Sequence, residues 1–174
     1  MTDERLEYEV LTNDYDGIKR HIDRYLYAMK YCQGKTVLDV GCGSGLGGFL
    51  YSMVAKLVLM IDYSGEALKS AARFPFVSEV ELIQQDISGS YNFPKVDTIV
   101  AFEIIEHLDN PKRFLNKLYG DTIVWSVPMN DESEWHKTVF QNEEEIRKLF
   151  AETNWKVQEL FTENGRYVHG YCIK

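Results

Sequence analysis

The sequence predicts an α/β fold: a doubly wound, mostly parallel sheet with helices on both faces, closed by an antiparallel hairpin. Three observations predict it. Val37-Leu38-Asp39-Val40 reads as a buried strand running into Gly41-Cys42-Gly43-Ser44-Gly45-Leu46-Gly47-Gly48, five glycines in eight positions, and then into Phe49-Leu50-Tyr51-Ser52-Met53, the body of a helix. Farther along, β-branched runs alternate with segments of helical spacing, as in a parallel sheet with crossover helices. Finally, Asn164-Gly165 stands between two alternating runs, the strongest short-range hairpin signal.

Taken in order, Met1 to about Asp14 is polar, acidic and without a clear period, and is expected to be a flexible arm. From Tyr15 to Tyr31, Ile18, Ile22, Tyr25, Leu26 and Met29 recur at helical spacing and predict an amphipathic helix with those residues inward. After the glycine turn, Lys56 to Ile61 is a second apolar strand with Asp62 at its end. Ser64 caps the next helix, Ala67-Leu68 and Ala71-Ala72 form its buried side, and Pro75 stops it. Val80 to Gln85 is a third strand leading to Asp86-Ile87, and Val96 to Phe102 a fourth. Pro111 opens a helix whose inner face carries Phe114, Leu115 and Leu118. Thr122 to Val127 is the fifth strand, ended by Pro128, and Asn142 to Thr153 is helical through Ile146, Leu149 and Phe150. Trp155 to Thr162 and Arg166 to Ile173 are the arms of the hairpin.

At 174 residues the chain has room for one sizeable core, and 45% apolar with 26% charged residues is the balance of a soluble globular protein. No apolar run approaches the roughly 18 residues that span a bilayer. The acidic start Met1-Thr2-Asp3-Glu4 is no secretory signal, so a cytoplasmic protein without membrane contact is expected. Cys32, Cys42 and Cys172 lack paired metal spacing and read as reduced thiols. A net charge of −8 argues against broad nucleic-acid binding, and Lys112, Arg113 and Lys117 read as the solvated face of a helix.

A strand feeding a glycine-rich turn and a helix is a nucleotide-binding arrangement, because glycines let the backbone approach a ligand closely. Gly43-x-Gly45-x-x-Gly48, with Asp62 about 20 residues on, fits the dinucleotide fingerprint by pattern. The fuller wording Asp39-Val40-Gly41-Cys42-Gly43-Ser44-Gly45 resembles the first motif of the class I S-adenosylmethionine-dependent methyltransferases, where an acidic residue precedes a G-x-G-x-G turn. Asp39 is unneeded in a simple dinucleotide turn but complements the ammonium and sulfonium of S-adenosylmethionine. The terminal hairpin also departs from the fully parallel dinucleotide fold, and both features speak against a NAD-linked oxidoreductase. The resemblance covers nearly all of the chain from Lys35 onward. It implies seven strands ordered 3-2-1-4-5-7-6, with a core domain over 35–174 and, over 1–34, an arm and helix able to close over the cofactor, Tyr15 being a candidate lid residue.

In open parallel sheets the ligand lies beyond the carboxyl ends of the strands. What the resemblance implies for the site follows that rule. Gly41, Gly43 and Gly45 would make room for the cofactor's amino-acid portion and ribose, with Asp39 and Cys42 in the same turn. Asp62 would accept both ribose hydroxyls, with Tyr63 beside it. Asp86 would take the adenine amino group and the Ile87 N–H a ring nitrogen. Phe102 and Glu103 would lie by the methionine end.

Glu103-Ile104-Ile105-Glu106-His107-Leu108-Asp109-Asn110-Pro111 leaves two readings open. In many small-molecule methyltransferases an E-H-L-x-x-P turn shapes the acceptor side, and His107, His136 and Glu103 would then be the catalytic candidates, an imidazole taking a proton near neutral pH. In the small-RNA 3′-terminal 2′-O-methyltransferases, E-x-x-E-H plus a later histidine binds a divalent metal. A compact turn would bring Glu103, Glu106 and His107 together at i, i+3 and i+4, with His136 as a fourth ligand. No N-P-P-Y-type tetrad follows the fourth strand, which speaks against methylation of base amines; Ser126-Val127-Pro128-Met129 follows the fifth strand instead. The expected function is methyl transfer from S-adenosylmethionine to an oxygen or nitrogen of a small-molecule acceptor rather than a nucleic acid. A non-catalytic, cofactor-binding regulatory subunit is the remaining alternative.

Overall fold

The computed structural model describes residues 15–174, with side chains from residue 18 onward. The arm before Tyr15 and the Tyr15 side chain lie outside the described residues. The strands β1 (Thr36–Val40), β2 (Leu57–Asp62), β3 (Glu79–Gln84), β4 (Thr98–Phe102), β5 (Thr122–Pro128), β6 (Lys156–Glu163) and β7 (Tyr167–Ile173) form a sheet of order β3-β2-β1-β4-β5-β7-β6. Pairing is parallel for β1–β2, β2–β3 and β4–β5, and antiparallel where β7 meets β5 and β6. Helices α1 (Tyr15–Cys32), α2 (Leu46–Ser52), α3 (Gly65–Ala71), α4 (Pro111–Lys117) and α5 (Glu143–Ala151) interleave with them. Among the described residues no helix is long and apolar enough to cross a membrane. The chain divides into two compact units, one ending at Gln85 and one running from Asp86 to Lys174.

In the first unit β1 and β2 are buried along nearly their whole length, as strands covered on both faces must be, whereas β3, at the sheet edge, alternates. The Ser64 hydroxyl accepts the Ala67 N–H and starts α3. Helix α1 differs from the sequence expectation in which face it buries. Arg24, Ala28 and Cys32, spaced by four, are buried, while Ile22 and Leu26 are exposed. The small side chains of Ala28 and Cys32 let α1 pack closely, and Tyr25 then fits against α2, its ring 6.2 Å from that of Tyr51 at 79°. Bulk alone had pointed to the opposite stripe.

In the second unit β4 and β5 are buried. The Trp125 ring lies 4.7 Å from Phe150 of α5, and its indole N–H meets Cys172 Sγ at 3.2 Å. The Trp155 indole N–H donates to the Leu115 carbonyl at 2.9 Å, so both buried indoles have partners. Asn110 caps α4 with Pro111 at its first position, and Asn142 caps α5, whose first turn carries Glu143, Glu144 and Glu145. The hairpin forms where expected: Asn164 (φ 50°) and Gly165 (φ 66°) both take the left-handed conformation of a type I′ turn. At Gly170 of β7 an added Cβ would stand 2.1 Å from the Glu159 carbonyl oxygen, beside a shift in register between Val157 and Glu159. Strand β4 begins at Thr98 rather than Val96, because the Val96 N–H turns to the Tyr119 carbonyl.

Candidate cofactor and acceptor residues

Each unit carries part of the predicted set. In the first, β1 ends at Val40 and the chain enters the glycine turn, whose start is tied to β2: the Gly41 and Cys42 N–H groups both donate to the Ile61 carbonyl, at 2.8 and 3.0 Å. Asp62, at the end of β2, is nearly buried and divides its carboxylate. Oδ2 accepts the Gly43 N–H at 2.9 Å and Oδ1 the Ser64 N–H at 2.8 Å. A carboxylate, with two acceptor oxygens side by side, is the group suited to a vicinal diol. The glycines divide the work. An added Cβ on Gly43 (φ 54°) meets nothing within 4 Å, so the turn faces open space there. On Gly45 (φ 94°) it would stand 2.5 Å from Ala71 Cβ, so the room at Gly45 is filled by α3. Cys42 is half-buried, and Tyr63, beside Asp62, is exposed.

Asp39 lies inside β1, 6% exposed, and its Oδ2 has no hydrogen-bond partner. Burial pushes its carboxyl up to about 7, and the neighbouring Asp62 charge pushes the same way. A cation beside it would relieve both.

In the second unit Asp86 is exposed, and its Oδ1 accepts the Ser88 hydroxyl at 2.6 Å and the Ser88 N–H at 2.8 Å. Those bonds hold its carboxyl below the ordinary carboxylate range, Lys137 adding a smaller pull. Ile87 follows, half-buried. Phe102 ends β4, and Glu103 takes a left-handed conformation, φ 50°, that a non-glycine residue holds only when its surroundings enforce it. They do. Its Oε1 accepts the Ser126 hydroxyl at 2.6 Å, and its N–H donates to the Ser126 carbonyl at 3.2 Å. Ser126 was not among the predicted site residues; the Ser-Val-Pro ending of β5 was the only trace of it in the sequence.

The turn Ile105–His107 follows as a single 3₁₀ turn. The expected union of Glu103, Glu106 and His107 does not form. The left-handed Glu103 breaks helical register before the turn begins, and Ser126 holds its carboxylate. The structure instead gathers Glu106, His107 and His136, whose nearest ligand atoms all lie within 4.8 Å of one another. Residues 130–138 bring His136 there, because the Lys137 and Thr138 N–H groups both donate to the Glu106 carbonyl, at 2.9 and 3.0 Å. The two imidazoles meet edge to face with centroids 4.9 Å apart. His107 Nδ1 lies 3.1 Å from the Trp135 carbonyl, and His136 Nδ1 lies 3.0 Å from the Asp131 carbonyl. A carbonyl only accepts, so each Nδ1 carries a proton, and Nε2 is the nitrogen left for a base or a metal ligand to use.

Strand, glycine turn, Asp62 clamp and terminal hairpin define a Rossmann-like domain of the kind that holds an adenosine-bearing cofactor. A family model for the methyltransferase domain matches residues 38–120. A probable S-adenosylmethionine-dependent methyltransferase of Mycobacterium tuberculosis is 32% identical over 120 residues, 67% of this chain and 42% of that one. The mitochondrial ubiquinone biosynthesis O-methyltransferase of Schizosaccharomyces pombe is 32% identical over 93 residues, 49% of this chain and 33% of that one. The crystal structure of an S-adenosylmethionine-dependent methyltransferase from Aquifex aeolicus shares the fold at a TM-score of 0.68 and 18% identity, covering 87% of this chain and 88% of that one. The chain carries a methyltransferase domain with the fold of the class I S-adenosylmethionine-dependent methyltransferases, and the matches support S-adenosylmethionine as the cofactor. It spans less than half the length of these two curated relatives.

Proposed function

We propose that the chain transfers a methyl group from S-adenosylmethionine to an oxygen or nitrogen of a small-molecule acceptor in the cytoplasm. The observation that carries this reading is the Asp62 carboxylate, which ends β2, organises the glycine turn through the Gly43 N–H and is the kind of group that accepts from a ribose diol. In this reading Asp39 faces the ammonium, Gly41, Cys42 and Gly43 line the cofactor, and Tyr63 flanks the ribose. Gly45 acts by packing on Ala71, which sets the course of the turn. Asp86 and the Ile87 N–H serve the adenine, and Phe102 and Glu103 the methionine end. The similarity to ubiquinone biosynthesis O-methyltransferases supports a hydroxyl acceptor.

Bound there, S-adenosylmethionine would supply an electrophilic methyl group whose bonding pair is left on sulfur when an acceptor oxygen takes the methyl carbon. Alignment is most of the catalysis. The hydroxyl proton would pass to Nε2 of His107 or His136, since each Nδ1 already donates to a backbone carbonyl. The test is calorimetric titration with S-adenosylhomocysteine, with NAD as control, followed by labelled methyl transfer to hydroxylated small molecules. Binding of NAD alone, or of neither, overturns the reading.

The trio Glu106, His107 and His136 favours a second reading, a divalent cation held there as in metal-dependent methylation of RNA 3′ ends. One ligand atom of each lies within 4.8 Å of the others, and the set would be three residues, since Ser126 holds Glu103. The net charge of −8 fits an RNA partner poorly. Chelator leaves transfer intact if an imidazole is the base and abolishes it if a metal is required. In the second case Glu106→Gln and His107→Ala also lose bound metal.

A further inference from the structure

Among the buried polar atoms of the first unit that its own fold leaves unsatisfied, two belong to β1 and α2, the elements that flank the glycine turn in sequence. One is Asp39 Oδ2. The other is the hydroxyl of Tyr51, a fully buried side chain of α2 with no hydrogen-bond partner for that oxygen. A buried donor and a buried acceptor each lose their water without recompense, so a fold retains such a pair when something else satisfies it. Tyr51 runs back along α2 toward its N-terminal end: its oxygen lies 3.3 Å from where a Cβ on Gly47 would be, and the Tyr25 ring lies 3.1 Å from the same point. Arg24, one residue before Tyr25 on α1, is 3% exposed and sits on the buried face of that helix. Burial raises the Tyr51 phenol well above its ordinary value, Asp39 pushes it higher and Arg24 pulls it back, so both charges lie within electrostatic reach of one hydroxyl.

We propose that Tyr51 and Arg24 form, with Asp39, the receptor for the amino-acid end of the cofactor. The Tyr51 hydroxyl donates to the carboxylate, Arg24 supplies the positive charge opposite it, and Asp39 faces the ammonium. An ammonium and a carboxylate on one carbon are the chemistry that satisfies an orphaned acceptor and an orphaned donor together. Neither Tyr51 nor Arg24 belongs to the G-x-G-x-G motif. The inference rests on the cofactor reading above and adds two residues to it.

The test compares two ligands. S-adenosylhomocysteine carries the amino-acid end, whereas 5′-methylthioadenosine shares its adenosine and thioether and lacks that end. Tyr51→Phe removes only the orphaned oxygen and keeps the ring against Tyr25, so folding is safeguarded. It is expected to weaken S-adenosylhomocysteine roughly tenfold, as for a lost bond to a charged acceptor, and to leave 5′-methylthioadenosine unchanged. Arg24→Gln should show the same selectivity. Equal weakening of both ligands, or no change in either, overturns the proposal, the second outcome being that of a hydroxyl met by buried water. A wild-type protein that binds 5′-methylthioadenosine as tightly as S-adenosylhomocysteine overturns it while sparing the cofactor reading. One that binds neither overturns both.

Discussion

Asp62 Oδ2 accepts the backbone N–H of Gly43 at 2.9 Å, which joins the end of β2 to a glycine of the turn whose missing Cβ faces open space. The residue proposed to hold the ribose therefore also shapes the turn. Asp62→Asn keeps one acceptor but turns an amide N–H₂ toward a donor. It should lower stability by about 1–2 kcal/mol, read from the urea midpoint, and weaken S-adenosylhomocysteine by roughly 10- to 100-fold. An affinity that falls only as far as stability does would assign Asp62 a purely structural role.

Gly43 and Gly45 should separate binding from folding. Gly43→Ala meets no neighbour, so it adds only left-handed strain, about 1 kcal/mol, while placing a methyl where the turn is open. Gly45→Ala meets Ala71 Cβ at 2.5 Å as well as the strain of φ 94°, and should lose at least 2–3 kcal/mol. Thermal melts with and without S-adenosylhomocysteine distinguish the two: Gly43→Ala melts close to wild type yet gains little from ligand, and Gly45→Ala melts early.

Asp39 makes stability depend on pH in an unusual direction. Its carboxyl titrates near 7 in the folded chain against an ordinary 3.8, so the folded state holds a proton that the unfolded state gives up. That contribution is complete below the ordinary value and is lost as pH rises through about 7, a change on the order of a few kcal/mol. Urea midpoints of the ligand-free protein should fall between pH 5 and pH 8, and Asp39→Asn should flatten the slope. A cofactor ammonium favours the charged carboxylate, so the rise in melting temperature with S-adenosylhomocysteine should be larger at pH 7.5 than at pH 6.

Ser126→Ala removes the hydroxyl that Glu103 Oε1 accepts at 2.6 Å. A bond to a charged acceptor in a partly buried place is worth about 1.5–3 kcal/mol, set against easy burial of the alanine methyl. The expected outcome is a loss of about 1–2 kcal/mol in the urea midpoint and a slower turnover, since Glu103 then swings from its left-handed anchor. Unchanged turnover would show that Glu103 acts through its backbone alone.

Much of this was legible in the chain because it is local. Asp39, the glycines and Asp62 announce themselves through a strand, a turn and a second strand in unbroken order, and Asn164-Gly165 names its own turn. What was not legible depends on contacts that no local pattern encodes. The buried stripe of α1 runs through Arg24, Ala28 and Cys32, because close packing there favours small residues and one charge with a purpose, while Ile22 and Leu26 face outward. Glu103 left its expected companions because a residue 23 positions away captured its carboxylate. His136 reached His107 only because two peptide N–H groups of its loop found the Glu106 carbonyl.

Cys32 and Cys172 are buried, and burial pushes both thiols up to about 12. Cys42, half-buried within the glycine turn, is the remaining cysteine of the three. A maleimide or fluorine-bearing reagent applied to the native protein therefore has one address, and that address lies in the turn proposed to receive the cofactor. If the proposal holds, the chain carries its own reporter group, and its rate of modification would give an optical or magnetic readout of loading without a single engineered change.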